Sequence, residues 1–359
     1  SSWLCRVFLS RFSTPGPVAG CAGMQPDSQR WREQMEQVRC HEGFFVALDQ
    51  SCGATPRMLR VYGIDVCDYF GEPEMLDRAH AMRSRILFSP TFGGPRVLGA
   101  ILFEDTVEHE ICGLPAARYL WETKRVVPFL KVDRGLSEER GGVQLMRDVP
   151  QLDAVLDSAA AAGIFGTKTR SLIKSPNVEG IRALVHQQLD LARHVLARGL
   201  VPVLEPEVAV GCPEKARCEQ LLLYVLLESL RSLGPDDRVI FRLTIPCEDD
   251  LYRPLVEHPN VLRVVALGGG LSQADVCARL ARNRGVAACF SRAFLEGLHA
   301  GQTQEAFESM LEATCKVLLQ ASCGSTAAAA ATPPAAAVGA GAISETKGAP
   351  QLAAARRSA

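Results

Sequence analysis

Short apolar or β-branched runs recur along the chain, separated by longer stretches in which apolar residues return every three or four positions. Eight runs of five to seven residues fit strands: Phe44–Leu48, Val97–Phe103, Val126–Val132, Ile164–Lys168, Leu200–Glu205, Val239–Leu243, Leu262–Leu267 and Val286–Ser291. Runs this short and this apolar suit strands buried on both faces. Between them, residues 182–199 set Leu184, Val185, Leu189, Ala192, Val195 and Leu196 on one helical stripe. Near the end, Phe307, Met310, Leu311, Val317 and Leu318 do the same. Strands alternating with helices predict an α/β protein with a parallel sheet, and eight is the number that closes a (β/α)8 TIM barrel. The competitor is an open doubly wound sheet, but no glycine-rich nucleotide-binding turn follows the first run. The pattern favours a single closed barrel.

Composition sets the limits of that unit. Of 359 residues, 47% are apolar and 22% charged, which excludes a wholly disordered chain. A barrel of about 250 residues leaves roughly 100 for appendages. Residues 1–27 carry Arg6, Arg11 and several serines with no acid before Asp27, the composition of a transit segment, with a plastid as the expected destination, or of a disordered extension. Residues 324–359 are dominated by Ala, Gly, Ser and Pro and predict a disordered tail, so the barrel is expected over 28–323. A balance of 39 basic against 40 acidic residues offers no case for nucleic acid, and no run of about 18 apolar residues predicts a membrane span. Thirteen scattered cysteines without a C-x-x-C pair suit a reducing compartment; seven histidines without metal-ligand spacing predict neither metal nor cofactor.

In such a barrel the functional side chains stand at the carboxyl ends of the strands. Here these ends are polar: Asp49-Gln50-Ser51, Glu104-Asp105, Lys131-Val132-Asp133, Lys168-Thr169-Arg170, Glu205-Pro206-Glu207, Arg242, Gly268-Gly269-Gly270 and Ser291-Arg292. Each taken alone has a plain reading, such as a helix cap, a surface ion pair or a tight turn. Only seven lysines occur in the chain, however, and two of them fall at inward strand ends beside carboxylates. Buried charge is costly unless paired or used.

The strings FFVALDQS at Phe44–Ser51, VLGAILFE at Val97–Glu104, VPFLKVDRG at Val127–Gly135, GIFGTKTRS at Gly163–Ser171, GLVPVLEPEV at Gly199–Val208, LRVVAL before a glycine pair, and ARNRG followed by FSRA to Ala293 resemble class I fructose-bisphosphate aldolases of the bacterial type. The resemblance covers about residues 28–322. It implies a metal-free lyase that splits fructose 1,6-bisphosphate into dihydroxyacetone phosphate and glyceraldehyde 3-phosphate through a Schiff base on lysine. By that likeness Asp49 handles protons around the carbinolamine, Lys131 and Lys168 flank the substrate, and Glu205 is the acid/base glutamate. Arg170 and Arg292 would grip phosphates, aided by the backbone of Gly268, Gly269 and Gly270. A phosphorylated ketose or triose phosphate is the implied ligand, and a homo-oligomer the implied assembly.

One position breaks the pattern. The family places its Schiff-base lysine on the sixth strand before a leucine-threonine pair, and the string here is VIFRLTIP, with Arg242 at that place. A guanidinium stays protonated and forms no comparable imine. Milder departures are Gly268 for a loop serine, Ala54 for another serine and Cys52 for a glycine. Several readings stay open at this level: a scaffold whose ordinary chemistry is impaired or absent, Lys168 acting as nucleophile instead, a lysine codon one base away behind the arginine, or a different sugar-phosphate cleavage. A silent barrel with a sugar-phosphate-binding or structural role is the alternative to an enzyme.

Overall fold

The computed structural model describes residues 28–50 and 53–330, with side chains except at 105, 108 and 325–330. The barrel strands are β1 (Phe44–Leu48), β2 (Val97–Leu102), β3 (Val127–Lys131), β4 (Gly166–Ile173), β5 (Val201–Val208), β6 (Val239–Thr244), β7 (Val261–Leu267) and β8 (Val286–Phe290). Each pairs in parallel with its neighbour in chain order, and β8 returns to β1 through Phe45 against Cys289, which closes the ring. Helices fill the connections, as right-handed crossovers between parallel strands require. The fold is the TIM barrel that the strand count predicts.

Two strands differ from their expected bounds by more than one residue. β4 begins at Gly166 and continues through Lys168-Thr169-Arg170 to Ile173, and β5 continues through Glu205-Pro206-Glu207 to Val208. Their polar ends look like loop in sequence. They stay extended because Arg170 to Ile173 pairs with Glu205 to Val208, and a short strand at Val143–Gln144 adds antiparallel to Leu172 and Ile173. The final helix, Gln304–Ala330, also differs in detail. Met310 and Val317 are exposed, whereas Phe307, Leu311, Cys315 and Leu318 form the buried stripe, a spacing of four, four and three that stays on one helical face. Residues 1–27 and 331–359, where the transit segment and most of the tail are expected, lie outside the described residues.

Alternation along the strands divides the core in two. Phe45, Ala47, Ile101, Phe129, Phe165 and Val203 belong to the cluster inside the barrel, while alternate residues such as Phe44, Val46 and Leu204 pack outward against helices. Phe129 is the centre of the plug, 6.0 Å from the Phe45 ring and 5.6 Å edge-on from Phe165. Gly99 makes this packing fit, because a Cβ there would stand 2.8 Å from both Phe45 and Phe129. The helix Gln29–Cys40 covers the amino-terminal end of the barrel. Its Trp31 indole donates to the Gly199 carbonyl at 3.2 Å, Arg30 donates to the Gly163 carbonyl, and buried Gln37 donates to the carbonyls of Leu98 and Arg125. The base is therefore shut by an apolar plug and a helix, and polar chemistry is left to the opposite mouth.

Candidate active site

Strand parity builds the site. Two positions beyond the inward Ala47, Phe129, Val203 and Ile240 stand Asp49, Lys131, Glu205 and Arg242, which therefore also point inward. Lys168 lies beside Lys131 in the β3–β4 register and joins the same layer. The five side chains are only 2–9% exposed, so the layer is a set of buried charges and has to be internally paired.

It is paired as a chain. Lys168 Nζ lies 2.6 Å from Asp49 Oδ2 and 2.9 Å from Glu205 Oε2. Arg242 Nη1 donates to the same Glu205 oxygen. The guanidinium directs its other nitrogens to Cys289, with Nε 3.1 Å from Sγ and Nη2 3.0 Å from the carbonyl oxygen. Arg170 Nε is 3.5 Å from Glu205 Oε1 and donates to Glu207 Oε2 at 2.6 Å. Lys131 pairs with Asp133 at 3.1 Å and stands 5.8 Å above the Phe103 ring. Six sequence-predicted side chains thus gather in one mouth.

The electrostatics fix the protonation states. Burial pushes the Asp49 carboxyl up, but Lys168, Arg242 and Lys131 outweigh it and hold the group at about 2. Burial likewise opposes the charge on Lys168, yet Asp49 and Glu205 outweigh it and keep the ammonium protonated beyond the usual lysine range. Burial raises Glu205, and Arg242, Lys168 and Arg170 together bring it below the usual carboxylate range. For Arg242, desolvation is overcome by Glu205, so the guanidinium holds its proton more tightly than usual. Asp49, Lys168, Glu205 and Arg242 are therefore all ionised at rest. The network can bind charge and orient a carbonyl, but neither Lys168 nor Arg242 presents a neutral nitrogen.

The remaining predicted residues form a separate group on the rim. Gly268-Gly269-Gly270 follows β7 as a turn in which Leu271 N donates to the Gly268 carbonyl. Gly269 and Gly270 have positive φ of +55° and +101°, and a Cβ on Gly269 would stand 1.9 Å from Val210 Cγ2. Among the described residues neither of their amides donates to another backbone group, which leaves two donors at a loop. Arg292 is exposed, and its Nη1 lies 3.5 Å from the place a Gly270 Cβ would occupy. Its recorded hydrogen bond, to the Leu271 carbonyl, is a long 3.4 Å. A guanidinium beside free amides is an anion-binding arrangement.

Several participants are given no role of their own by the sequence reading. Asp133 and Glu207 follow Lys131 and Glu205 by two positions, so parity alone would have found them. Cys289 gives no such signal, because it reads as one more apolar residue of β8 until Arg242 is seen against it. Fully buried Arg83, on the helix Gly71–Phe88, donates to the Gln50 carbonyl at 3.0 Å and to Thr106 Oγ1 at 3.2 Å, and so ties down the turn after β1. Gln50 in turn donates to the Ala47 carbonyl and to Ser291 Oγ, linking β1 to the turn after β8.

Among the described residues no helix is long and apolar enough to cross a membrane. No family model matches the chain. Among solved structures, the fructose-bisphosphate aldolase of Plasmodium falciparum superposes with a TM-score of 0.68 over 82% of this chain and 94% of its own, at 16% identity, a likeness of fold. Sequence relatives are nearer. A protein of Porphyromonas gingivalis named fructose-bisphosphate aldolase class 1 is 47% identical over 81% of this chain and 99% of its own length. One of the same name from Synechocystis is 51% identical over 81% of this chain and 97% of its own. With identity at that level along nearly the whole of both relatives, on a closed eight-stranded barrel, the chain belongs to the class 1 fructose-bisphosphate aldolase family.

Proposed function

We propose that the mouth of this barrel binds a phosphorylated ketose or triose phosphate in the manner of its aldolase relatives, and that Schiff-base cleavage of fructose 1,6-bisphosphate is impaired because Arg242 replaces the amine. The observation that carries this reading is the lock on Arg242, which is held by Glu205 on one side and Cys289 on the other. Aldol cleavage by this route needs a neutral amine to attack the ketone, lose water and remain as an iminium that accepts the electron pair of the breaking carbon–carbon bond. The guanidinium supplies the cation without the nucleophile. Lys168 does not substitute for it at rest, since two carboxylates hold its proton. In this reading Arg292 and the glycine turn take one phosphate, Arg170 helps with the other, and Asp49, Lys131, Lys168 and Glu205 surround the carbonyl carbons.

Incubation with dihydroxyacetone phosphate and borohydride, followed by intact-mass measurement, tests the proposal. No adduct is expected on the native chain, whereas Arg242→Lys should give a reduced adduct mapping to position 242 and gain cleavage of the bisphosphate. A native adduct on Lys168 or Lys131 would refute the impairment. Failure of dihydroxyacetone phosphate to bind the native chain would remove the ligand assignment and favour a structural role.

A further inference from the structure

A second cavity lies outside the charged layer, between the turns that follow β5, β6 and β7. It encloses about 370 Å3 and is lined chiefly by apolar side chains, among them Val210, Ile245 and Leu271, with Lys215, Cys247 and Arg279 as its polar members. None of the charged barrel-mouth residues described above contributes to it. Its two cations differ in kind. Lys215 is buried and satisfied, since its ammonium pairs with Glu219, donates to the Ile245 carbonyl at 2.8 Å and lies 3.7 Å from Cys247 Sγ. Arg279 is half-exposed, and among the described residues its guanidinium has neither an ion pair nor a hydrogen bond. The cavity thus presents an apolar wall with one unneutralised positive group. A volume of a few hundred Å3 with a few directed polar groups is the usual make-up of a small-molecule site.

We propose that this cavity binds a small organic monoanion, with an apolar body against Val210, Ile245 and Leu271 and a carboxylate on Arg279. The planar fork of arginine matches a carboxylate bidentately, and the apolar lining selects against a bare inorganic ion. Two of the walls are shared with the rim turn. Val210 is the side chain against which Gly269 closes, and the Leu271 carbonyl is the acceptor for Arg292. An occupant would touch the back of that turn without entering the mouth. The site stands whether or not the chain cleaves a ketose.

Cys247 supplies a local readout, because it lines the cavity and its residue is exposed. The full chain is alkylated with iodoacetamide at about pH 9.5, because burial pushes the Cys247 thiol up, and each cysteine is followed by peptide mass. Benzoate is the probe, and exposed Cys40, Cys67 and Cys112 are internal controls. At benzoate about ten times its dissociation constant, alkylation of Cys247 should slow about tenfold while the controls keep their rates. Neutral benzamide should protect far less, and Arg279→Met, which keeps the apolar stem, should abolish the protection, while Arg279→Lys keeps part of it. Absence of benzoate protection, equal protection by benzamide, or protection that survives in Arg279→Met would each overturn the proposal. The benzamide arm uses the native chain, so the outcome does not depend on a variant folding.

Discussion

Replacing Lys168 with methionine removes an ammonium that sits between two buried carboxylates, at 2.6 Å from Asp49 and 2.9 Å from Glu205. The hydrocarbon volume is nearly kept, so the loss is electrostatic. Asp49 gives a first measure: its drop from an ordinary 3.8 to about 2 corresponds to about 2 kcal/mol of stability at neutral pH. Glu205 adds to that, though Arg242 and Arg170 still attend it. The general cost of leaving a buried charge without its partner is about 3–5 kcal/mol, and we expect the variant to lose that much at pH 7. The pH dependence is the sharper test. A carboxyl whose folded pKa is lowered stabilises above its unfolded value, and that contribution disappears as pH falls from about 4 to about 2. A lysine whose folded pKa is raised stabilises below about 10.5 and loses its contribution as pH rises past that value. The difference between native and variant stability should therefore be greatest between about pH 5 and pH 10 and narrow on both sides. Urea unfolding followed by far-ultraviolet circular dichroism across this range measures it. A difference below about 1 kcal/mol at pH 7, or one that stays constant down to pH 3, would refute the ionised network.

On the rim, Arg292→Ala should leave stability within about 0.5 kcal/mol, because the side chain is exposed and weakly bonded, yet weaken dihydroxyacetone phosphate binding about 10- to 100-fold. Calorimetric titration decides this, and an unchanged affinity would exclude Arg292 from phosphate binding. Gly269→Ala imposes a left-handed backbone on alanine and drives Cβ into Val210, so we expect a loss of about 2–3 kcal/mol, partly regained in combination with Val210→Ala. Additive losses in that double variant would mean that the contact is not the source of the strain.

The barrel was legible because its strands are short, apolar and evenly interleaved with helices, and because the inward parity of Phe45, Phe129 and Val203 carries straight on to Asp49, Lys131 and Glu205. The lengths of β4 and β5 were not legible, since Lys168-Thr169-Arg170 and Glu205-Pro206-Glu207 are polar and only their mutual pairing keeps them extended. Met310 and Val317 misled for the opposite reason: they are apolar members of the expected stripe, and still exposed. Cys289 was invisible as a partner because its role exists only across the barrel, where Arg242 reaches it from β6. Local pattern speaks for elements, whereas the partners of a buried charge are set by closure of the ring.

The helix that seals the base has a consequence for how this molecule can be handled and tethered. Ser28 caps that helix at its first turn, and Arg30 and Trp31 fasten it beneath β4 and β5. A tether fixed at Ser28 itself is therefore anchored at the pole facing away from the ionised layer. Immobilisation at that residue would leave the mouth turned toward solution.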